Sequence, residues 1–365
     1  MKITGVTQHH VSHPLDGTFH PTWIPGYPQG THEAEVFEIE TDEGITGITA
    51  SPSFAGGIEY DDILELFLVG EDPHDVEGII SALESIHTIG PRSWHVELAL
   101  WDIIGKDAGK PVYELLGGNG DPVRAYASTG MTLPADERIE YVQQRVDEGF
   151  EAVKLRITTK DDLDVVREVR EAFPELTLMV DANKGWMVTV MGEEPVWTVK
   201  EAMEVARELE DVGNVAWLEE PLPRHNYSGY ARLREATDVP IAGGEFNHGA
   251  GQLYQFLDHD ALDIVQPDAA LATGIRRATE VAAAAREQGV EFVPHTWTNA
   301  IGFAANLQVM AAVDGRWCEF PHDPPWTPNA WGAVIEEPFT AEDGMVAPRD
   351  GPGLGVELDR SVLEE

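Results

Sequence analysis

Three short apolar runs in this chain each end in carboxylates. Leu176–Asn183 (Leu-Thr-Leu-Met-Val-Asp-Ala-Asn) ends at Asp181 and Asn183, Val215–Pro221 (Val-Ala-Trp-Leu-Glu-Glu-Pro) at Glu219 and its neighbour, and Val239–Glu245 (Val-Pro-Ile-Ala-Gly-Gly-Glu) at Glu245. Runs of this kind read as buried strands that emerge at a polar mouth. In a parallel barrel their C-terminal ends lie side by side. Converging carboxylates in an apolar well repel one another unless a cation sits among them. A donor set made only of oxygen suits a hard ion, so the expected cofactor is one Mg²⁺ per subunit, held by Asp181, Glu219 and Glu245.

Other runs end in complementary groups. Lys154-Leu155-Arg156 places two cations on one face of a strand, where they need anions to meet. Further on come Gln266-Pro267-Asp268, Pro294-His295-Thr296 and Glu319. Taken alone, any of the acids could cap a helix or sit on the surface, and His295 could be a satisfied structural histidine. Asp268 on the adjacent strand changes that reading. A carboxylate beside an imidazole orients it and raises its basicity, which a proton-abstracting base requires. Glu319, if poorly solvated, would keep its proton and donate a hydrogen bond to a developing oxyanion. Cys318 should face outward as a buried, inert thiol.

These residues need a scaffold that brings strand ends together. From Asp121 the chain alternates strictly. Strands are expected at Val123–Ser128, Ala152–Ile157, Leu176–Asp181, Val215–Glu219, Pro240–Gly244, Leu262–Gln266, Glu291–Pro294 and Trp317–Phe320, with helices between them. Eight alternations predict an α/β fold of (β/α)₈ type, whose active site lies at the C-terminal mouth. An open doubly wound sheet would announce a Gly-rich phosphate loop after its first strand, and none is present. Residues 1–120, strands followed by helices, predict a small N-terminal α+β domain; 121–335 form the barrel; 336–365 form a segment that packs back on that domain. Trp94, Leu98, Trp101 and Ile104 recur at helical spacing as core. The Pro-, Gly- and His-rich stretch Ser12–Gly30, with Trp23 and Tyr27, reads as a lid loop carrying specificity residues. Ser51–Gly57 and the long Lys184–Trp197 loop are further specificity candidates.

Composition sets the outer bounds. The chain has 365 residues, with 65 acidic against 24 basic and a formal net charge of −41. So negative a surface repels nucleic acid and anionic membranes, and neither is an expected partner. The same surface suits a high-salt cytoplasm, so a halophilic source is expected. One cysteine, no signal-type segment and no apolar run near the ~20 residues of a membrane span predict a cytoplasmic protein.

The set Lys154-x-Arg156, Asp181-Ala182-Asn183, Glu219-Glu220-Pro221, Gly244-Glu245, Gln266-Pro267-Asp268, His295 and Glu319 resembles the enolase superfamily, specifically its mandelate racemase-like branch. Ala99-Leu100-Trp101-Asp102 through Gly117-Gly118 resembles the end of that family's capping domain. The resemblance covers almost the whole chain. It implies Mg²⁺ on Asp181, Glu219 and Glu245, and a carboxylate substrate whose α-proton is removed to give a metal-stabilised enediolate. It also implies a homo-oligomer, often an octamer.

One departure from the family pattern carries information. The racemase-type pattern has Lys-x-Lys, with the second lysine as a base facing the histidine. This chain has Arg156, which stays protonated at any working pH. A one-base site suits removal of an α-proton followed by loss of a β-hydroxyl, that is, dehydration of a sugar acid to a 2-keto-3-deoxy acid. Lys154 and Arg156 would hold the substrate carboxylate, Asn183 would contact a hydroxyl, and Trp23 would line the substrate site. A racemase or epimerase of a 2-hydroxy acid is the alternative; it would need Lys154 or Arg156 as second base. A muconate-type cycloisomerase fits less well, because His295 with Asp268 is not that branch's usual base. A non-catalytic binder would not need so complete a set.

Overall fold

The structure is a computed structural model and describes residues 1–53, 59–87, 92–189, 191–192 and 194–363. The N-terminal unit opens with three antiparallel strands, β1 (Ile3–Phe19), β2 (Gln29–Thr41) and β3 (Thr46–Pro52). Helices α1 (Asp61–Leu68), α2 (Val76–Ile86), α3 (Val96–Ala108) and the short α4 (Val112–Leu115) follow. The inward residues of β2, Phe37 and Ile39, pack with Leu64, Leu68, Ile80, Leu83 and Leu100 into a core of their own. Gly47 lets α3 press directly on β3: a Cβ there would stand 2.3 Å from the Ala99 carbonyl oxygen.

The first strands run longer than the sequence suggests. Ser12–Gly30 was expected as a loop, but β1 continues to Phe19 and pairs with β2 from Ile3↔Thr41 to Pro14↔Thr31, resuming at Phe19↔Gln29. Only residues 20–28 connect them. Histidines and prolines hide the alternation, yet the ladder uses the backbone. Across it, His10 meets Glu35 and Ser12 donates to Glu33, each at 2.7 Å. Part of the Ser51–Gly57 stretch falls outside the described residues, as do two positions of the Lys184–Trp197 loop.

The second unit alternates strand and helix. In order it comprises β4 (Val123–Ser128), α5 (Ala135–Asp147), β5 (Ala152–Arg156), α6 (Leu163–Ala172), β6 (Thr177–Asp181), α7 (Val199–Val212), β7 (Val215–Glu219) and α8 (Tyr227–Glu235). There follow β8 (Ile241–Gly243), α9 (Gly249–Asp258), β9 (Ile264–Val265), α10 (Gly274–Glu287), β10 (Glu291–Phe292), α11 (Ala300–Val313) and β11 (Trp317–Pro321). These strands form one curled parallel sheet in the order β10-β9-β8-β7-β6-β5-β4-β11. This is the modified (β/α)₈ barrel with an N-terminal cap. The later strands are shorter than expected, because Pro240, Pro267 and Pro294 beside them have no N–H to offer a ladder. Side chains bridge the seam between the first and last strands of that order: Thr296 N and Oγ1 donate to Glu319 Oε2 and O, at 2.9 and 2.8 Å.

One layer of side chains plugs the interior. Tyr126, Ala152, Met179, Trp217, Ala242, Ile264, Val293 and Trp317, one from each strand or its end, pack together. Cys318 points the other way, into the larger core between sheet and helices, where burial pushes its thiol up.

The tail first extends the barrel sheet and only then reaches the cap. After α12 (Pro328–Trp331), β12 (Met345–Val346) pairs antiparallel with β4. Gly353 O accepts from Val112 N, and Leu354 N donates to Asp102 Oδ1, at 3.0 and 2.9 Å. Asp102 also accepts from Ile48 N and Lys106 Nζ, so one buried carboxylate ties strand, helix and tail. Among the described residues no helix is long and apolar enough to cross a membrane.

Candidate active site

The plug layer fixes the site by simple periodicity. Side chains alternate along a strand, so the next inward residue lies two positions on. Two past Ala152, Met179, Trp217, Ile264, Val293 and Trp317 stand Lys154, Asp181, Glu219, Gln266, His295 and Glu319. Two past Ala242 is Gly244, not an acid. Gly244 has φ of 120°, open to glycine and strained for other residues, and the bend it allows presents Glu245 instead. Asn183 and Glu220, beside two of the acids, have φ of 45° and 42°. Left-handed backbone at non-glycine residues concentrates at functional sites.

Asp181, Glu219 and Glu245 are buried and offer carboxylate oxygens that all lie within 4.8 Å of one another. Each is oriented by donors. Asn183 N reaches Asp181 at 2.8 Å; Trp217 Nε1 and Gln266 Nε2 reach Glu219 at 2.8 and 2.9 Å; Trp186 Nε1 reaches Glu245 at 2.5 Å. Lys154 Nζ lies among the acids, 2.7 Å from Glu219, 2.6 Å from Glu319 and 3.6 Å from Asp181. Arg156 bonds Asp181 as well.

The electrostatics are those of a cluster short of positive charge. Burial, opposed by Arg156 and reinforced by Glu219, pushes Asp181 up to about 8. Burial raises Glu245 too. Burial acts the same way on Glu219, yet Lys154 and Arg156 outweigh it and hold that carboxyl down at about 2. A divalent cation would let all three ionise together. The all-oxygen, buried, pre-oriented donor set therefore fits Mg²⁺.

His295 Nδ1 stands 2.8 Å from Asp268 Oδ2. A carboxylate only accepts, so Nδ1 carries the hydrogen and in the neutral ring Nε2, 3.5 Å from Glu245, is the nitrogen without one. Burial disfavours the imidazolium, but Glu245 and the Asp268 hydrogen bond raise His295 to about 9. Asp268 is itself fixed by Asn306 Nδ2 and the N–H groups of Ala270 and Leu271.

A cavity of about 430 Å³ opens over this floor. Of the expected residues, Trp23, Arg156, Asn183, Glu245 and His295 line it. Lys154, Asp181, Glu219, Asp268 and Glu319 lie behind them. The Arg156 guanidinium lies 5.4 Å from the Trp23 ring and 5.5 Å from Trp297, with its Nε donating to Thr129 O at 2.5 Å. The Asn183 amide oxygen accepts from Thr22 Oγ1 at 2.6 Å and Arg156 at 3.0 Å. Two of the segments lining the cavity meet: Val188 N donates to Trp23 O at 2.9 Å.

One expectation is corrected. Glu319 was expected to keep its proton. Burial does push it upward, but the Lys154 ammonium and His295 hold it below the usual carboxylate range. It accepts from Ser128 Oγ, Lys154 and Thr296 N, so it is an ionised acceptor with no proton to donate. Sequence reasoning left out Trp217, Trp186 and Trp297. Trp217 could have been found, since it shares the inward register of Glu219. Trp186 sits in an irregular loop and gives no periodic signal.

The family model described as Mandelate racemase / muconate lactonizing enzyme, N-terminal domain, matches residues 17–117, and that described as Enolase C-terminal domain-like matches residues 137–362. The chain is 34% identical to a D-galactarolactone cycloisomerase of Agrobacterium fabrum, over 100% of this chain and 98% of that one. It is 30% identical to an arabinonate dehydratase of Saccharolobus solfataricus, over 94% and 92% of the two chains. The crystal structure of L-talarate/galactarate dehydratase from Salmonella typhimurium, liganded with Mg and L-lyxarohydroxamate, superposes with a TM-score of 0.79 at 26% identity, covering 99% and 92%.

Proposed function

The chain belongs to the enolase superfamily, in its mandelate racemase/muconate lactonizing enzyme branch, and from that premise we propose that it is a Mg²⁺-dependent sugar-acid dehydratase. The observation that carries this reading is that His295, the imidazole paired with Asp268, shares the cavity with a guanidinium, Arg156, where the racemase pattern has a second lysine. Dehydratases among its relatives support it. Asp181, Glu219 and Glu245 would hold the metal, which when bound supplies positive charge to offset that building on the substrate carboxylate.

The chain's own groups do the rest. Arg156, kept cationic and stacked, pairs with the substrate carboxylate. His295 Nε2 takes the α-proton, and Asp268 steadies the imidazolium. The electron pair of the broken C–H bond expels the β-hydroxyl, which leaves as water with the proton returned from Nε2. The enol product rearranges to a 2-keto-3-deoxy acid. Lys154 balances Glu219 and Glu319 behind the cavity. Asn183 meets a substrate hydroxyl, and Trp23 packs on the carbon chain.

A second reading keeps the same abstraction but makes a ring oxygen on the β-carbon the leaving group, so an isomer forms and no water is lost. The galactarolactone cycloisomerase among the relatives favours it. Racemisation needs a second acceptor, which Arg156 does not provide.

The same reading makes the protein a homo-oligomer of a reducing, high-salt cytoplasm. The −41 net charge supports the high-salt setting and the single buried cysteine the reducing one, while the homo-oligomer rests on the family resemblance. It keeps the division into a cap (1–120), a barrel (121–335) and a returning tail (336–365), supported by the separate core of the N-terminal unit. The test is a screen of purified protein, in high salt with Mg²⁺, against mono- and diacid sugars and their lactones, read by 2-keto acid formation. A product from an open-chain acid, lost with EDTA and with His295→Asn, supports dehydration. Turnover of lactones alone favours the second reading, and no keto product from any compound overturns both.

A further inference from the structure

The reacting end of the active-site cavity is well supplied with charge, and the rest of its wall is not. Past Arg156, His295, Glu245 and Asn183, the lining comes from cap residues between 23 and 33, from Pro52 and Ser53, and from mostly aromatic and apolar side chains of the barrel. Among the described residues, Arg156 is the one lysine or arginine that lines the cavity. No position outside the described residues holds a lysine, arginine or histidine. Lys154, behind the floor, is taken up by Glu219 and Glu319.

Two neighbours on β2 set the sign of that wall. Burial pushes His32 down to about 4, so its ring is neutral near pH 7. Burial pushes the Glu33 carboxyl up, but hydrogen bonds from Thr31 and Ser12 and the nearby His10 outweigh it, so Glu33 stays ionised. Three residues of the wall also have buried polar atoms without a partner, and all three atoms are neutral: Trp326 Nε1, Ser53 Oγ and His32 Nδ1. His32 Nε2 donates to Thr298 O at 3.2 Å, which leaves Nδ1 as an acceptor. A wall of neutral donors and acceptors matches hydroxyl groups, which both give and take hydrogen bonds. A second carboxylate set here would be desolvated against indole rings, beside Glu33, with no cation to meet.

Resting on the reading of the site as one for sugar acids, we propose that its substrate bears a single carboxylate, the one at the reacting end, and carries only neutral hydroxyls beyond it: a monocarboxylic sugar acid rather than a diacid. The wall selects by withholding a counter-charge from the wrong substrate, not by filling the space it would occupy.

The experiment compares matched pairs on the intact Mg²⁺-loaded protein at one fixed salt concentration: D-gluconate with D-glucarate, D-galactonate with galactarate, and D-xylonate with xylarate. The members of a pair share every carbinol centre and differ only in the last carbon. Binding is read by calorimetry and turnover by 2-keto acid formation. The monoacid should bind and react about tenfold or more better than its diacid, as a charge set unpaired against a like charge implies. Glu33→Gln takes the like charge off the wall and should narrow that ratio several-fold. A diacid that binds or reacts as well as its partner overturns the proposal, and is the result expected if a second copy of the chain brings a cation to the wall. A ratio that Glu33→Gln leaves unmoved overturns it too. A monoacid preference in binding, with no turnover of either member, supports the proposal while overturning the dehydratase reading. Binding of no member of any pair overturns both.

Discussion

Asp268 and His295 leave neighbouring strands of the barrel and meet at 2.8 Å, Oδ2 to Nδ1. That contact fixes the tautomer and sets the pH at which Nε2 is free. A base works only when unprotonated, so the rate falls as pH drops through its pKa. In the metal-free protein that value is raised to about 9, against burial, by Glu245 and by the Asp268 hydrogen bond.

Asp268→Asn removes the charge that stabilises the imidazolium. The acidic limb of the kcat/KM profile should move to lower pH, and the plateau rate should fall. The two pH profiles, measured on Mg²⁺-saturated enzyme, decide it; coincident limbs would show that Asp268 does not tune the base.

His295→Asn should leave folding and metal binding intact while turnover falls by roughly 10²–10⁴, the usual contribution of a positioned base. Retention of full activity would move the base elsewhere.

Lys154 is fully buried and contacts Glu219, Glu319 and Asp181. Lys154→Met strands those acids without their cation. Breaking a buried pair costs on the order of 3–5 kcal/mol, so the metal-free variant should melt well below the parent. Mg²⁺ should recover more of its Tm than of the parent's. An unchanged metal-free Tm contradicts the charge balance described above.

Chelation should abolish turnover. Readdition of Mg²⁺ at a hundred times its Kd should stabilise the fold by about 2.7 kcal/mol. Glu219→Gln should blunt both effects. Activity that survives EDTA dialysis would remove the metal from the mechanism.

Arg156→Lys exchanges a guanidinium stacked between Trp23 and Trp297 for a compact amine that can lose its proton. KM should rise, and substrate recovered from D₂O should carry deuterium at the α-carbon by NMR. Without exchange, the identity of this residue is not what restricts the chemistry.

The strand ends were legible because period-two alternation is set by the backbone. Asp181, Glu219 and His295 each lie two residues past a plug side chain. Glu245 falls out of that register through Gly244, and only its apolar run signalled it. The extent of β1 was hidden, since Ser12–Phe19 carries few apolar residues and its ladder is held by backbone bonds and by His–Glu pairs. The ionisation of Glu319 was also out of reach: it depends on Lys154 arriving from a distant strand at 2.6 Å. The hold of Trp186 on Glu245 comes from a loop without periodicity.

The tail's grip on Asp102 orders events in time. The cap is synthesised first, but Gly353 and Leu354, which close the bonds to Val112 and Asp102, are made only after the whole barrel. Arg360, later still, pairs with Glu38 in β2. On a ribosome the cap therefore waits through the translation of the barrel with its Asp102 carboxylate short of one partner. Domains tend to fold as they emerge; this one can finish only when the catalytic unit beneath it has been made. A nascent chain stalled before residue 353 would hold Asp181, Glu219 and Glu245 complete under an unfastened roof.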